Sequence, residues 1–233
     1  MKIGLWNIDH PEKNLKRSGR IKRFTEITRY IEKQDCDFLI LSEANSAIQV
    51  NGYSQYFSEE SPFYNKNRCY HHPNQYHQVA IFSKNPCEQI AIPEPINGVL
   101  CKIEHKNQPI FIYGNVITIK DQWKKDSNKK YKDRLSEQIS QFTQLLGKTF
   151  IIGGDFNLKK GWLQKRTAYN HVVNFVKDNN LNWPTSEQTN SVQHVIHSDS
   201  LTVTAIEIDA SVQHEKGKKK SLSDHPFFTI DIS

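Results

Sequence analysis

Four short segments of this sequence carry side chains suited to phosphate chemistry: WNID at 6–9, LILSEAN at 39–45, GGDFN at 153–157 and SLSDHPFF at 221–228. Asn7 and Asp9 are two residues apart, as are Asp155 and Asn157. In extended chain that step puts both side chains on one side. Carboxylates at Asp9, Glu43, Asp155 and Asp224, if gathered, repel one another unless a cation sits among them. Their hard oxygens favour magnesium or manganese over zinc. Each segment thus offers hard oxygen ligands or a titratable ring, groups that can bind a cation or move a proton. Taken singly, each residue has an ordinary reading as a turn former or helix cap. The repetition of the pattern is what points to a site.

Strands and helices must carry these segments to one place. MKIGLWNI reads as a first strand and CDFLILS as a buried strand ending at Glu43; QVAIFSK, GVLCKIEH, QPIFIYGNVIT and TFIIGG read as further strands. Helices are predicted over 20–33, 131–147 and 163–179, from apolar residues at helical spacing and, for the second, Gly147 as C-terminal cap. SVQHVIHS, LTVTAIEID and HPFFTIDI close the chain with strands. Neither a repeat nor a linker divides it, so the expectation is one α/β domain over residues 1–233, with helices covering sheets on both sides. In such sheets, sites are built at strand ends.

At 233 residues there is enough chain for a substantial core. Before its first charges the N-terminus has no long apolar run, and nothing approaches transmembrane length, so no membrane role is expected. The four cysteines are scattered without a CxxC pair, which argues against structural zinc and fits a reducing, cytoplasmic setting. The formal net charge is +6. Basic residues crowd 13–23, 124–134 and 216–220. Any one run reads as a solvated face; three, each near a candidate segment, suit a polyanionic partner. Arg68 lies among aromatics and histidines in RCYHHPNQYH, and Lys124 and Lys125 follow Trp123; these places suit substrate binding by charge and stacking.

WNID, SEAN, GGDFN and SDH, in this order and at these relative positions, resemble the endonuclease/exonuclease/phosphatase superfamily, which includes deoxyribonuclease I and the exonuclease III type of abasic-site endonuclease. The resemblance runs from Ile3 to Ile232. It implies a four-layer α/β sandwich, with two mixed β-sheets packed face to face and helices outside. It implies a Mg2+ (or Mn2+) cofactor with Glu43 as metal ligand, and Asp9 and Asp224 as further metal-side carboxylates. Asp155 then activates water, Asn157 and Asn7 steady phosphate oxygens, and His225 contacts the scissile phosphate.

Two departures bear on activity. VQH stands where the family usually has IDH, so Gln193 occupies the place of the aspartate that orients the catalytic histidine. A glutamine can orient an imidazole through its amide oxygen but cannot stabilise the imidazolium by charge. The strand that usually supplies a tyrosine or histidine reads FIYGNVIT, leaving Tyr113 and Asn115 as the alternatives.

The leading expectation is therefore a metal-dependent nuclease acting on DNA or RNA. The alternatives are a phosphatase or phosphodiesterase of a small or lipid-linked phosphate, and a catalytically weak nucleic-acid-binding member.

Overall fold

A computed structural model describes residues 1–11, 18–60, 76–117, 128–161, 166–189, 191–213 and 222–233. Its first sheet uses β1 (Lys2–Asn7), β2 (Phe38–Asn45), β3 (Ser54–Phe57), β4 (Tyr76–Ser83), β10 (Val203–Asp209) and β11 (Phe227–Ile232), in the order β10-β11-β1-β2-β4-β3. The second uses β5 (Glu88–Ile90), β6 (Gly98–His105), β7 (Gln108–Val116), β8 (Phe150–Asp155) and β9 (Gln193–His197), ordered as numbered. Both are mixed: β1 runs parallel to β2 and β7 parallel to β8, each within antiparallel neighbours.

Three apolar seams give the layers. Ile3, Leu5, Phe38, Ile40, Val79 and Ile81 meet Ile103, Ile110, Ile112, Ile151 and Val195 between the sheets. On the outer face of the first sheet, Phe24, Ile27 and Ile31 of α1 (Ser18–Lys33) cover Trp6, Leu39 and Leu41. On the outer face of the second, Leu135 and Phe142 of α2 (Asn128–Thr143) and Ala168, Val172 and Phe175 of α3 (Arg166–Asp178) cover Phe150, Ile152 and Ile196. Helical spacing on one side and period-two alternation on the other explain each assignment, and each large apolar side chain fully buried there contributes about 1.5–3 kcal/mol. The layer order is helix, sheet, sheet, helices, the expected four-layer sandwich.

Some boundaries differ. β3 and β5 are short sheet elements with half-buried or exposed patterns, too brief to show an alternation in sequence. α2 ends at Thr143 rather than at Gly147; turns occupy 144–147, the last of these residues being Gly147 with φ +77°. The predicted start of the third helix, residues 163–165, lies outside the described residues.

One close approach positions the site. Ile3, Leu5 and Asn7 alternate onto the inner face of β1; Ile151, Gly153 and Asp155 do so on β8. A Cβ at Gly153 would come 2.8 Å from Ile40 Cδ1 and 2.9 Å from Leu5 Cδ2. Only glycine lets the sheets come this near just below the two polar residues.

Candidate active site

Asn7 ends β1 and Asp155 ends β8, so the two meet across the seam between sheets. Asn7 Nδ2 donates to Asp155 Oδ2 at 2.9 Å and also to Glu43 Oε1 at 3.2 Å. Asn7 and Asp155 are 1% and 3% exposed. Parallel pairing sets Asn7 beside Ser42, and Glu43 follows with a left-handed φ of 53° that interrupts the alternation of β2. One amide thus joins the first three sequence segments.

Each partner is fixed in turn. Asp155 Oδ1 accepts from the Asn157 backbone N–H at 2.7 Å, the turn that a two-residue step allows. Asn157 Nδ2 donates to the Ile117 carbonyl at 2.9 Å, tying that turn to the end of β7. Asp9 N–H donates back to Asn7 Oδ1 at 2.9 Å. The fourth segment is laced to β1: Ser223 Oγ donates to Asn7 O at 2.6 Å, His225 N–H to Ser223 Oγ at 3.1 Å, and Trp6 Nε1 to His225 O at 3.0 Å. Asn7, Asp9, Glu43, Asp155, Asn157 and His225 therefore lie on connected backbone at one end of the sandwich.

Other expected residues fall elsewhere. Tyr113 sits on the outer face of β7, 3% exposed, with its ring against Phe142 and its hydroxyl donating to Gln141 Oε1 at 2.6 Å. The inner face of β7 is taken by Ile110, Ile112 and Val116, so alternation turns Tyr113 away from Asn7 and Asp155. Asn115, two residues on and so on the same face of β7 as Tyr113, donates to Gly153 O at 3.0 Å, bracing β8 rather than entering the cluster. Asp224 is an exposed residue whose Oδ1 is 3.3 Å from His225 Nε2; no hydrogen bond or ion pair joins it to Glu43 or Asp155 among the described residues. Gln193, fully buried and paired across from Asp155, donates through Nε2 to the Pro226 carbonyl at 3.4 Å. Its Oε1 has no partner among the described residues. The glutamine therefore touches the backbone beside His225 rather than its ring, and Asp224 is the carboxylate facing that imidazole. Arg68, Lys124 and Lys125 lie outside the described residues.

Sequence reading missed two contributors. Arg23, counted there within a basic run, donates to the carbonyls of Leu222 (2.8 Å), Ile8 (2.8 Å) and Asp9 (3.2 Å) and pairs with Asp9 Oδ2 at 3.2 Å. It is a brace between the first and fourth segments, and it gives Asp9 a cationic partner within the chain. His10, adjacent to WNID, brings Nε2 to 3.3 Å from Glu43 Oε2. Neither contact is signalled by spacing, because both depend on where the turn after β1 goes.

The Glu43 side chain is 31% exposed, yet its carboxyl is pushed up to about 7, first by desolvation and then by the Asp155 and Asp9 charges; the Asn7 hydrogen bond and His225 oppose the shift. A cation at this carboxylate would relieve that repulsion, and the oxygen donors suit a hard divalent ion. Among the described residues no three His, Cys, Asp or Glu side chains close around one point. Magnesium needs no such cage, since one or two carboxylates with water and substrate phosphate suffice. Glu43, with Asn7 beside it, fits that mode of binding.

A profile of the Endonuclease/Exonuclease/phosphatase family matches residues 4–225, and the chain belongs to that family. Solved structures agree in fold. The 3′ phosphatase NExo from Neisseria, bound to product DNA hairpin, superposes with a TM-score of 0.65 at 12% identity, covering 100% of this chain and 99% of its own. The human Nocturnin catalytic domain with bound sulfate gives 0.68 at 18% identity, covering 100% and 93%. The AP endonuclease LMAP from Leishmania major gives 0.66 at 12% identity, covering 98% and 86%. No curated protein sequence matches the chain. Among the described residues no helix is long and apolar enough to cross a membrane.

Proposed function

We propose that this family member is a divalent-metal-dependent phosphodiesterase that cleaves nucleic acid by attack of water on phosphorus. The observation that carries the reading is the Asn7 amide shared between the Glu43 and Asp155 carboxylates. That bridge holds a metal-binding group and a proton acceptor in fixed relation, which is what water attack on a phosphodiester requires.

Asp155 is the general base. Both its oxygens are already oriented, one by Asn157 N–H and one by Asn7 Nδ2, so little reorganisation is needed when it accepts the proton from water. Asn7 steadies that carboxylate and Asn157 presents the turn beside it. His225, with Nε2 facing Asp224, would donate a hydrogen bond from its other ring nitrogen to a phosphate oxygen. Glu43, with Asp9 nearby, would hold the divalent ion, which supplies charge neutralisation at the phosphate.

A polymeric substrate is supported by the +6 net charge and the three basic runs. NExo was solved with product DNA, and LMAP is an AP endonuclease, which is in keeping with a nucleic-acid substrate here. The test is a panel of single- and double-stranded DNA, RNA, abasic-site duplex and an inositol polyphosphate, with Mg2+, Mn2+ or EDTA. Metal-dependent cutting of a nucleic acid, weakening steeply with salt, is expected. Release of phosphate from the inositol polyphosphate alone would replace the nuclease reading by a phosphatase one.

A further inference from the structure

Resting on that reading of the Glu43 site, we infer that His10 is a nitrogen ligand on the metal side, making the site prefer Mn2+ and its transition-metal neighbours over Mg2+. The sequence segments named above include Asp9 but stop short of His10. The structure carries the chain one residue further.

The geometry is specific. His10 Nε2 lies 3.3 Å from Glu43 Oε2. Two donors bound about 2.1 Å from one octahedral ion, at a right angle, stand roughly 3 Å apart. The backbone is locked as well: His10 N–H donates to the Glu43 carbonyl at 3.0 Å, and the preceding turn is held by Ile8 N–H to Ser42 O at 3.0 Å. The two residues therefore face each other through backbone as well as side chain. The imidazole plane is set by Tyr76, whose ring meets it edge-on at 5.6 Å and 84°. At 19% side-chain exposure the ring is largely enclosed.

The chemistry follows from donor type. Carboxylate oxygen suits Mg2+ and Mn2+ alike, whereas an imidazole nitrogen adds affinity in the order Mn2+ to Zn2+ and little for Mg2+. One histidine beside Glu43 therefore converts an indifferent hard site into a selective one. A plain ion pair between His10 and Glu43 is the competing account, and it predicts no such selectivity.

The test loads the full chain, with 15N-labelled histidine, with Mn2+ and reads nitrogen coupling by electron spin-echo spectroscopy. Calorimetric titration with Mn2+ and with Mg2+ runs in parallel. Histidine nitrogen coupling is expected in the wild type and in His225→Asn, and absent from His10→Asn. His10→Asn should weaken Mn2+ binding by about 10-fold or more and Mg2+ binding by less than about 3-fold. Mn2+ bound without nitrogen coupling in the wild type overturns the assignment and needs no variant to fold. Coupling kept in His10→Asn and lost in His225→Asn also overturns it. Mn2+ binding lost in Glu43→Gln but unchanged in His10→Asn overturns the histidine while sparing the Glu43 site. No Mn2+ binding by the wild type overturns both.

Discussion

Asn7 and Asp155 are 148 positions apart in the sequence, yet the Asn7 amide nitrogen lies 2.9 Å from Asp155 Oδ2, with both side chains buried. The contact crosses the seam between two sheets, so it forms only when the sandwich closes. The amide's second bond, to Glu43, makes it a spacer between two carboxylates that would otherwise repel.

Replacing Asn7 tests that role. Asn7→Ala should reduce kcat by about 100-fold or more and cost ~1–3 kcal/mol of stability, because two carboxylates lose their shared donor. Asn7→Asp should be worse on both counts, since it adds a third like charge. Steady-state kinetics with thermal melts of the two variants separate the terms. Equal effects of the two variants would show that only packing is at stake.

His225 is expected to depend on Asp224 rather than on Gln193. Asp224 Oδ1 is 3.3 Å from His225 Nε2, whereas among the described residues the Gln193 amide donates to the Pro226 carbonyl. Asp224→Ala should lower kcat by about 10-fold or more, and Gln193→Met, similar in volume, by less than about 3-fold. Single-turnover rates measure both. The reverse order would return Gln193 to the place expected for it from sequence.

A pH dependence of stability follows from His194. Its ring is fully buried, with Nε2 2.9 Å from Leu158 O and Nδ1 3.0 Å from Thr185 O. Desolvation pulls it from 6.5 down to about 4, against the raising effect of those carbonyls. Between these values the unfolded chain holds more protons than the folded one. Stability is thus full above 6.5 and falls as pH drops towards 4, by ~3 kcal/mol in all. Urea melts from pH 7 to 4 read this directly, and His194→Asn should remove this contribution to the slope.

The glycines of the eighth strand make a stability test. A Cβ at Gly154, where φ is +136°, would stand 2.0 Å from Asn115 O. Gly154→Ala should cost ~3 kcal/mol or more, or prevent folding. Gly147→Ala, also at positive φ (+77°) but with open space around it, should cost only about 1 kcal/mol. Similar melting temperatures for the two variants would contradict the close approach at Asn115.

Much of this was legible from residue types. Reading MKIGLWNI and TFIIGG as strands put Asn7 and Asp155 at strand ends, and the buried strand before Glu43 placed its carboxylate at a sheet end. What periodicity could not supply was the path of turns. The left-handed residues Asp9 and His10 (φ 50° and 41°) send His10 back to Glu43, and no propensity scale anticipates that. Arg23 read as part of a solvated basic run, because a guanidinium aimed at three carbonyls looks the same in sequence as one aimed at water. Tyr113 was a candidate through the family resemblance, from its place in FIYGNVIT; with glycine following it, which face it took depended on the register with the neighbouring strands. Once Ile110, Ile112 and Val116 turn inward, Tyr113 belongs to the helix side.

The central claim, that Asp155 is the base held by Asn7 and Asn157, is tested most directly by the nucleic-acid cleavage rate of Asp155→Asn at saturating Mn2+. The substitution keeps the shape, and circular dichroism verifies the fold. A fall of about 1,000-fold or more, with substrate binding retained, is the result the site geometry demands. Cleavage within about tenfold of the wild type would show that the proton goes elsewhere and that the Asn7–Asp155 contact is only a structural joint between the sheets.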